Sequence, residues 1–333
     1  RRQRQMCIRD RWKLAPALAA GNTIIMKPSE ITSTSLLHWA EIVGDIMPPG
    51  VLNVITGYGT EAGEEIVKHP SIPIITFTGS VKTGKRIAMH AAENLKKISL
   101  ELGGKDPVII CDDADIDVAA KGTSWGGFVN SGQVCTSIER VYVFSNVADR
   151  FTESLVEESK KVKLGDPMDK NTDIGPMASK AQLKNTVEKV ALAKQEGARI
   201  LAGGHRPKEF ARGYFFSPTI LDRVRPDMEI VTEESFSPVI PVQKVDSLDE
   251  AIKMSNATKY GLGCTIFTKD IERAMNAADK IKSGTVCINS PLMENIAAPF
   301  GGMKQSGIGR EHGIEALDAV SYTHLTLPTS SQV

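Results

Sequence analysis

Two side chains in the first half of the sequence have the types and the setting needed for acyl chemistry. Cys135 lies in GFVNSGQVCTS (127–137), where small and polar residues follow a glycine-containing turn. A thiol in this setting is placed as a nucleophile, whereas a packing thiol more often sits in an apolar strand, as Cys287 does in TVCI. The local context of Cys135 alone leaves both interpretations open.

Glu101 supplies a carboxylate in LELGGK (100–105), 34 residues before this cysteine. At the end of an apolar strand it could act as a buried general base. A carboxylate in such a position is more commonly paired with a neighbouring lysine or arginine. The residues alone therefore leave the role of Glu101 open as well.

Two turns could hold a nucleotide. FTGSVKTG (77–84) joins a strand to a helix, and the N–H groups at a helix start attract anions such as a pyrophosphate. KPSE (27–30) follows another strand, at the edge where open α/β sheets bind ligands. Its Glu30 carboxylate could accept hydrogen bonds from both hydroxyls of a ribose and would repel a 2′-phosphate. Each turn has an ordinary alternative, because the first lacks the G-x-G-x-x-G pattern and Ser29 or Thr32 could simply cap the next helix.

The composition limits the class of protein. A chain of 333 residues is long enough for about two domains with substantial cores. Its 40 basic and 40 acidic side chains cancel, which argues against a nucleic-acid partner, since such a surface needs a basic face. Five cysteines without a CxxC pair favour a reducing compartment, and we expect a cytoplasmic protein. The apolar runs are too short for a membrane span, and we recognise no secretory signal. The histidines are scattered, so we predict no metal site.

Both ends of the sequence look foreign. RRQRQMCIRD (1–10) is basic and shows neither strand nor helix periodicity, and SYTHLTLPTSSQV (321–333) interrupts a helical pattern. Both resemble translated adapter sequence, with a basic targeting arm as the alternative for the first. We therefore expect the folded core to extend from about residue 11 to residue 320.

Strands and helices alternate along this core, which predicts a parallel α/β architecture. The apolar patterns predict strands at 23–26, 51–55, 72–77, 97–102, 107–110, 141–144, 199–201, 239–245, 265–268 and 285–289. They predict helices at 12–20, 32–46, 61–68, 82–95, 116–128, 149–161, 179–196, 248–256 and 271–282. Gly103 and Gly104 form the expected domain boundary, with Glu101 just before it and Cys135 beyond it, which puts the site in a cleft between two domains.

Taken together, the motifs are far more specific than any one of them. In chain order they are WKLAPALAAGNT (12–23), KPSE (27–30), FTGS (77–80), LELGGK (100–105), NSGQVC (130–135), EESFSP (233–238) and PFGGMKQSG (299–307). In this order and spacing they resemble the NAD(P)-dependent aldehyde dehydrogenase superfamily. The resemblance covers essentially all of residues 12–319.

The resemblance implies an aldehyde dehydrogenase-like α/β fold, with a partial Rossmann-type cofactor domain and an α/β catalytic domain. The implied divisions are an extension at 1–10, part of the NAD-binding domain at 11–103, the catalytic domain at 104–298, a return to the cofactor domain at 299–320, and a tail at 321–333 that replaces the oligomerisation strand. Whole members of the family are expected to be homodimers or homotetramers.

The resemblance also implies roles for single residues. Cys135 corresponds to the nucleophile, and Glu101, at the family's spacing, to the base that activates the deacylating water. The implied cofactor contacts are Lys27 and Glu30 at the adenine ribose, Gly79 to Gly84 in the turn under the pyrophosphate, Glu234 and Phe236 at the nicotinamide ribose and ring, and in addition Ser29, Ser80 and Leu102. Lys13 and Glu311 match an outer proton relay of some members, which is a weaker correspondence.

The implied reaction is oxidation of an aldehyde to a carboxylic acid with NAD. The Cys135 thiolate adds to the aldehyde carbon, hydride passes to the nicotinamide, and water activated by Glu101 hydrolyses the remaining thioester. The Cys135 backbone N–H is one donor to the oxyanion of the thiohemiacetal. Glu30 favours NAD over NADP.

The sequence departs from the family pattern at three places. A second oxyanion donor, an asparagine, would fall near Arg4, and loss of one such donor costs about 2.7–4 kcal/mol of transition-state stabilisation. The last strand of the family would begin just after Val320, and Ser237 stands where a glycine is usual. We therefore expect the chain as written to be inactive and poorly folded, and its intact parent to be active.

Two other functions stay open. One is an acyl-transferring relative that passes the acyl group to CoA or phosphate, against which Glu101 argues. The other is a non-catalytic structural or binding relative, against which Cys135 and Glu101 argue together. The aldehyde is not readable from the sequence, although Val134, Thr136 and the loop 290–296 are expected to line the substrate tunnel. Cys111, Cys264 and Cys287 are expected to be core thiols.

Overall fold

The computed structural model describes the backbone of residues 2–321 and the side chains of residues 10–321. The first part of the chain builds two small sheets. Its elements are α1 (Arg2–Ala19), β1 (Ile24–Met26), α2 (Thr34–Val43), β2 (Leu52–Val54), α3 (Glu64–Lys68), β3 (Ile74–Thr78), α4 (Val81–Glu93) and β4 (Lys97–Glu101). β1 pairs with β2 and β3 pairs with β4, both in parallel.

The second part of the chain builds one sheet of seven strands. Its elements are β5 (Asp106–Ile110), α5 (Ile116–Phe128), β6 (Ile138–Phe144), α6 (Ala148–Lys161), α7 (Lys180–Gln195), β7 (Arg199–Ala202), β8 (Thr219–Asp222), α8 (Glu229–Thr232), β9 (Val239–Val245), α9 (Leu248–Asn256), β10 (Gly263–Phe267), α10 (Ile271–Lys280) and β11 (Thr285–Ile288). The strand order is β11-β10-β5-β6-β9-β8-β7. All neighbouring pairs are parallel except β7 with β8.

The chain then returns to the first part. β12 (Gly307–Ile308) adds to β4 in an antiparallel direction, and α11 (Glu315–Val320) follows. The small sheet therefore has the order β12-β4-β3 and contains strands from both ends of the chain.

The core of the large sheet is built by alternate residues of β5 and β6, both of which are buried along their whole length. Val108 and Val141 pack with apolar residues of α5 and α6 on one face. Ile109 and Tyr142 pack with apolar residues of α9 and α10 on the other face. Helices cover both faces because each strand presents apolar side chains to both sides, as parallel sheets require.

The segment Leu102–Lys105 carries the chain from the small sheet to the large one, and all four of its residues are buried. Ser306, itself fully buried, ties this segment to the large sheet. Its hydroxyl donates to the Gly103 carbonyl at 2.7 Å and accepts from the Gly261 N–H at 2.9 Å. One hydroxyl thus joins the end of β4, the start of β10 and the returning segment.

The structure corrects two predictions about the elements. The helix predicted from Trp12 begins instead at Arg2, because Arg, Gln and Met are good helix formers and need no apolar stripe to continue a helix. The sequence also gives no signal for β8, α8 and β12, and it predicts only parallel pairs, whereas β7 with β8 and β4 with β12 are antiparallel. These three elements have two to four residues, too few to show a periodicity.

The expected foreign tail lies, from residue 322 onward, outside the described residues. Within residues 2–321 no helix has both the length and the apolar character needed to cross a lipid bilayer.

Candidate active site

Cys135 follows a turn whose backbone is left-handed at three successive residues. Asn130, Ser131 and Gly132 have φ values of 53°, 58° and 68°. Such conformations cost free energy in non-glycine residues and persist only where the surroundings hold them. Here Asn130 and Gln133 hold one another, since the Asn130 side-chain amide donates to the Gln133 carbonyl at 2.9 Å and the Gln133 amide donates to the Asn130 carbonyl at 3.0 Å.

The rest of the protein also holds this turn. The Ser131 hydroxyl donates to the Gly175 carbonyl at 2.6 Å, and the Ala178 N–H donates to the Gln133 side-chain oxygen at 2.8 Å. At Gly132 a Cβ atom would lie 2.1 Å from the backbone oxygen of Ser237, so no other residue fits there. The turn is therefore fixed before Cys135 is reached.

The Cys135 side chain is partly exposed, so a ligand can reach it. It packs against the buried cluster of Trp12, Leu262 and Phe300. Its backbone oxygen lies against Gly104, where a Cβ atom would be only 2.3 Å away. The link between the two sheets thus contacts the cysteine directly.

Glu101, the last residue of β4, is 2% exposed. A Cβ atom on Gly301 would lie 2.8 Å from Glu101 Oε1, so this glycine makes room for the carboxylate. Phe300, the residue before it, belongs to the cluster that contacts Cys135. The structure therefore places Glu101 and Cys135 beside the same returning segment, at the junction of the two sheets.

Glu234 joins this group from the other side. Its Oε1 accepts a hydrogen bond from the Gly104 N–H at 3.1 Å, and a Cβ atom on Gly103 would lie 2.2 Å from its Oε2. Gly103 is required because the Glu234 carboxylate lies directly against it, whereas Gly104 is required because the Cys135 backbone oxygen does. Loss of hydration, and next the nearby charge of Glu139, raise the pKa of Glu234 to about 8.

Lys13 and Glu311 form a second pair, next to the cluster of Trp12, Leu262 and Phe300. The Lys13 ammonium contacts the Glu311 carboxylate in a largely buried ion pair. The Trp12 ring stands edge-on to the His312 ring, with 4.1 Å between their centroids. The structure thus brings together the two residues that match an outer proton relay.

An open cavity of about 660 Å³ lies between the two small sheets. Lys27, Ser29 and Glu30 line it, and so does Thr83 of α4. The Lys27 ammonium donates to the carbonyls of Pro28 and Gly57 at 2.8 and 3.0 Å. Both basic and acidic side chains contribute to the wall, among them Asp10, Lys13, Glu64, Arg86 and His90.

At the start of α4, Thr83 lines this cavity, whereas Gly79, Ser80 and Gly84 lie beside it. The Gly79 N–H donates to the Glu101 carbonyl at 3.0 Å, and the Ser80 hydroxyl caps the helix by accepting from the Thr83 N–H at 3.2 Å. A Cβ atom on Gly84 would lie 2.5 Å from a Leu102 methyl carbon, so this glycine lets the helix pack on the strand end. The helix N-terminus is thereby fixed on β4.

The alternative role of Ser29 or Thr32 as a helix cap is wrong. α2 begins at Thr34, the capping position is Ser33, and Ser33 makes no side-chain cap. The Ser29 hydroxyl instead accepts from the Ile31 N–H at 3.4 Å within an exposed turn.

A small cavity lies beside Thr136, the residue that follows Cys135. Thr136, Phe300 and the segment 292–294 line it, whereas Val134 is buried elsewhere. Asp106 and Cys287 also line it, and loss of hydration raises the pKa of Asp106 well above its usual range. Cys287 is only partly buried, on the edge strand β11, so it is not a core thiol, whereas Cys111 and Cys264 are.

Sequence reasoning missed three residues around the site. Asp10 lines the large cavity, although it lies in the stretch set aside as foreign, and loss of hydration raises its pKa to about 6 against the opposing charge of Lys13. Glu139 and Lys105 form a buried ion pair beside Glu234. A signal for Glu139 exists in the sequence, since a carboxylate inside the otherwise apolar strand IERVYVF must find a partner. Within residues 10–321 no cluster of His, Cys, Asp and Glu is arranged to hold a metal.

Comparison with known proteins identifies relatives over nearly the whole chain. The model of the aldehyde dehydrogenase family matches residues 8–325. A chloroplastic aminoaldehyde dehydrogenase of Arabidopsis thaliana is 44% identical over 322 residues, which cover 96% of this chain and 64% of that protein. A betaine aldehyde dehydrogenase of Brucella anthropi is 45% identical over 309 residues, 92% of this chain and 63% of that protein. The chain therefore spans a little over three fifths of the length of these relatives.

Solved structures give the same answer for the fold. The betaine aldehyde dehydrogenase of Staphylococcus aureus, crystallised with NAD+, superposes with a TM-score of 0.91 at 42% identity, over 92% of this chain and 61% of that chain. The lactaldehyde dehydrogenase of Escherichia coli superposes with a TM-score of 0.89 at 41% identity, over 92% of this chain and 64% of that chain. The resemblance and the α/β fold predicted from the sequence are both confirmed.

Proposed function

The chain belongs to the aldehyde dehydrogenase family, and on that premise we propose that the whole protein oxidises an aldehyde to a carboxylic acid with NAD. The observation that carries the proposal is the junction of the two sheets, where an accessible thiol, a buried carboxylate and a second carboxylate meet. These are Cys135, Glu101 and Glu234, and all three lie around the Leu102–Lys105 segment or the segment that returns to it.

The chemistry of Cys135 follows from its setting. Its thiolate attacks the carbonyl carbon of the aldehyde and forms a carbon–sulfur bond, which leaves a thiohemiacetal with its charge on oxygen. The backbone N–H of Cys135 is a donor for that oxygen. The left-handed turn before the cysteine is fixed by hydrogen bonds, so the thiol need not be reoriented during the reaction.

Glu101 serves the second half of the reaction. Once hydride has left the former aldehyde carbon, the acyl group is held on sulfur as a thioester. The Glu101 carboxylate takes a proton from water, the hydroxide adds to the thioester carbon, and the carbon–sulfur bond breaks, which releases the acid and the Cys135 thiolate. The Glu101 carboxylate is only 2% exposed, so it is largely withdrawn from bulk water.

The residues present fit NAD. When bound, NAD supplies the acceptor for the hydride. The large cavity offers Lys27, Ser29 and Glu30 for the adenine ribose. The start of α4, with Gly79 and Ser80 in the turn that leads into the helix and Gly84 packed on Leu102, offers the positive end of a helix to a pyrophosphate.

Glu234 and Phe236 are the residues we assign to the nicotinamide ribose and ring. Glu234 already lies on the backbone of Gly103 and Gly104, next to the nucleophile. At the other end of the cofactor, Glu30 would repel a 2′-phosphate, so we propose NAD rather than NADP.

Hydrolysis to the acid is favoured over acyl transfer to CoA or phosphate because the buried Glu101 supplies the base that hydrolysis needs. A purely structural or binding role is disfavoured by the accessible Cys135 thiol beside that base. The names of the relatives make aminoaldehydes and betaine aldehyde the first substrates to test.

The setting of the whole protein is also part of the proposal. We propose a homodimer or homotetramer in the cytoplasm, without a nucleic-acid partner. Relatives named as chloroplastic or peroxisomal make an organelle the alternative location. The expected inactivity of the chain as written stays a prediction, and normal aldehyde-dependent NADH formation by that chain would contradict it.

The decisive experiment measures NADH formation by the whole protein with a panel of aldehydes, and NADPH formation with the same panel. We expect activity with NAD that is lost in Cys135→Ala. In Glu101→Gln we expect one turnover to produce NADH and then stall, with an acyl group on Cys135 that mass spectrometry detects. An unmodified Cys135 in that variant, or full activity of Cys135→Ala, would overturn the mechanism.

A further inference from the structure

Glu139 and Lys105 form an ion pair that is almost completely removed from water. Their residues are 2% and 1% exposed, and the Lys105 ammonium lies 2.7 Å from Glu139 Oε2. Removing two charges from water costs more than their mutual attraction returns, unless further hydrogen bonds satisfy them. The Glu139 carboxylate therefore needs further hydrogen-bond donors.

The segment that connects α8 with β9 supplies these donors. Glu139 Oε2 accepts from both the backbone N–H and the hydroxyl of Ser235 at 2.8 Å. Glu139 Oε1 accepts from the Phe236 N–H at 2.7 Å. The segment is neither helix nor strand, so these N–H groups have no partner within a regular element, and the carboxylate replaces one.

The same two residues are held from the opposite direction. The side-chain amide of Gln182, on the first turn of α7, donates to the carbonyls of Ser235 and Phe236 at 3.0 and 2.8 Å. Phe236 has a φ of +48°, a left-handed conformation that a phenylalanine adopts only when its surroundings impose it. Both polar backbone groups of Ser235 and of Phe236 are thus bonded to side chains. We call Glu139 and Gln182 the peptide clamp.

We infer that the peptide clamp positions the residues that hold the nicotinamide riboside, so that Glu139 and Gln182 set the affinity for NAD without touching it. The inference rests on the proposed function, in which Glu234 and Phe236 contact that part of the cofactor. Glu234 precedes the clamped peptides, and the Phe236 ring projects from one of them. A carboxylate suits this role because one planar group accepts from two successive backbone N–H groups and from a hydroxyl.

A simpler account is that Glu139 only neutralises Lys105 and stabilises the core. The two accounts predict different results for Gln182, which is uncharged and half-buried. Its side-chain amide bonds to the clamped carbonyls and not to the ion pair, and its backbone N–H bonds to the cap of its own helix. If the clamp positions the cofactor contacts, its removal on either side should weaken NAD binding. If the ion pair is merely structural, Gln182→Ala should leave NAD binding unchanged.

The test compares Gln182→Ala and Glu139→Gln in the whole protein with the matched control Gln243→Ala. Gln243, on β9, also donates its side-chain amide to a backbone carbonyl, that of Val224 just after β8, and not to the clamped segment. The measurements are the KM for NAD, the KM for the aldehyde, kcat, the dissociation constant of NAD, and hydrolysis of 4-nitrophenyl acetate, an activated ester that acylates a thiol without cofactor.

We expect the KM and the dissociation constant for NAD to rise about tenfold in Gln182→Ala and about 10–100-fold in Glu139→Gln. The KM for the aldehyde and the hydrolysis of the ester should stay within about threefold of the wild type, and Gln243→Ala should resemble the wild type throughout. Should Glu139→Gln not fold, Gln182→Ala carries the test alone.

Two results would overturn the inference: an unchanged NAD affinity in Gln182→Ala, or a loss of ester hydrolysis equal to the loss of NAD affinity. A wild-type protein that binds NAD more tightly than Gln182→Ala, yet oxidises no aldehyde, would instead refute the proposed function and leave the peptide clamp standing.

Discussion

Two turns differ in how firmly the rest of the chain holds them: the turn that contains Cys135 and the turn that contains Glu30. We call residues 130–137 the nucleophile loop and residues 27–30 the ribose turn. In the nucleophile loop, Ser131, Gln133 and Ser137 are buried, and their side chains bond to backbone groups of other segments. In the ribose turn, Glu30 is exposed and Ser29 makes one long, local hydrogen bond.

The difference follows from what each turn is proposed to do. Bond formation at sulfur requires the reacting atoms to be placed within a fraction of an ångström, so the nucleophile loop has to be fixed before the substrate arrives. Recognition of ribose hydroxyls tolerates adjustment on binding, because side chains at a surface can reorient to meet them. Rigid support is concentrated where the chemistry is, and the two parts of the molecule should respond differently to the same kind of change.

Gly132→Ala is the sharpest test of how firmly the nucleophile loop is held, with Gly21→Ala, at a left-handed glycine outside both turns, as the matched comparison. Both glycines are left-handed, with φ values of +68° and +76°, but a Cβ at position 132 meets Ser237 at 2.1 Å and one at position 21 meets nothing within 4 Å. We expect Gly132→Ala to lower the free energy of unfolding by about 3 kcal/mol or more, and Gly21→Ala by about 1–2 kcal/mol. Denaturant titration of both variants gives the comparison. Equal losses in the free energy of unfolding would show that the nucleophile loop is held no more tightly than the turn at Gly21.

Ser306→Ala tests the hydrogen bonds that join the small sheet to the large sheet. The change leaves the buried Gly261 N–H and the Gly103 carbonyl without their shared partner, which costs about 1–3 kcal/mol. Because Gly103 underlies Glu234, we expect NAD affinity to fall together with stability. Thermal unfolding and NAD titration check this, with Ser306→Cys as the control that retains a side chain of similar size. A stability equal to that of the wild type would contradict the assigned bridge.

Glu234→Gln should alter how stability depends on pH. The pKa of Glu234 is about 8 in the folded protein and near 4.5 when unfolded, so between these values the unfolded state releases the proton while the folded state keeps it. Rising pH from 4.5 to 8 therefore destabilises the wild type through this group, and the effect levels off above pH 8. The glutamine variant lacks this loss, so its melting temperature relative to the wild type should increase across that window. A constant difference would show that Glu234 ionises normally.

Ser80→Ala should have the smallest effect and lies on the cofactor side of the contrast. The Ser80 hydroxyl caps α4, and its removal is expected to cost about 1 kcal/mol of stability. Ser29→Ala, which removes only a 3.4 Å bond in an exposed turn, is its matched control and should be close to neutral. Chemical unfolding of the two variants distinguishes them, and a loss in Ser29→Ala as large as in Ser80→Ala would refute the loosely held ribose turn.

Some elements are predictable to the residue and others are not. α5, β9 and α9 begin and end as the sequence indicates, because each carries a strong apolar pattern, and because Asp115 and Ser247 cap the two helices through their side chains. The two-residue strand β12 has no pattern of its own and exists because the returning segment meets β4. The antiparallel pairing of β7 with β8 likewise depends on where a long connection ends rather than on either strand's composition.

The amino-acid sequence by itself determined the alternation of strands and helices, the family, and the residue types that could perform the chemistry. Those are local properties, encoded in spacing, charge and turn residues. Only the tertiary structure decided that Glu139 reaches Ser235 and Phe236 across 96 and 97 residues of chain, that Gly104 lies against the Cys135 backbone, and that Cys287 remains partly exposed. Such contacts arise from the packing of separate strand ends into one volume, and residues far apart in sequence give no signal of that until both sheets have formed.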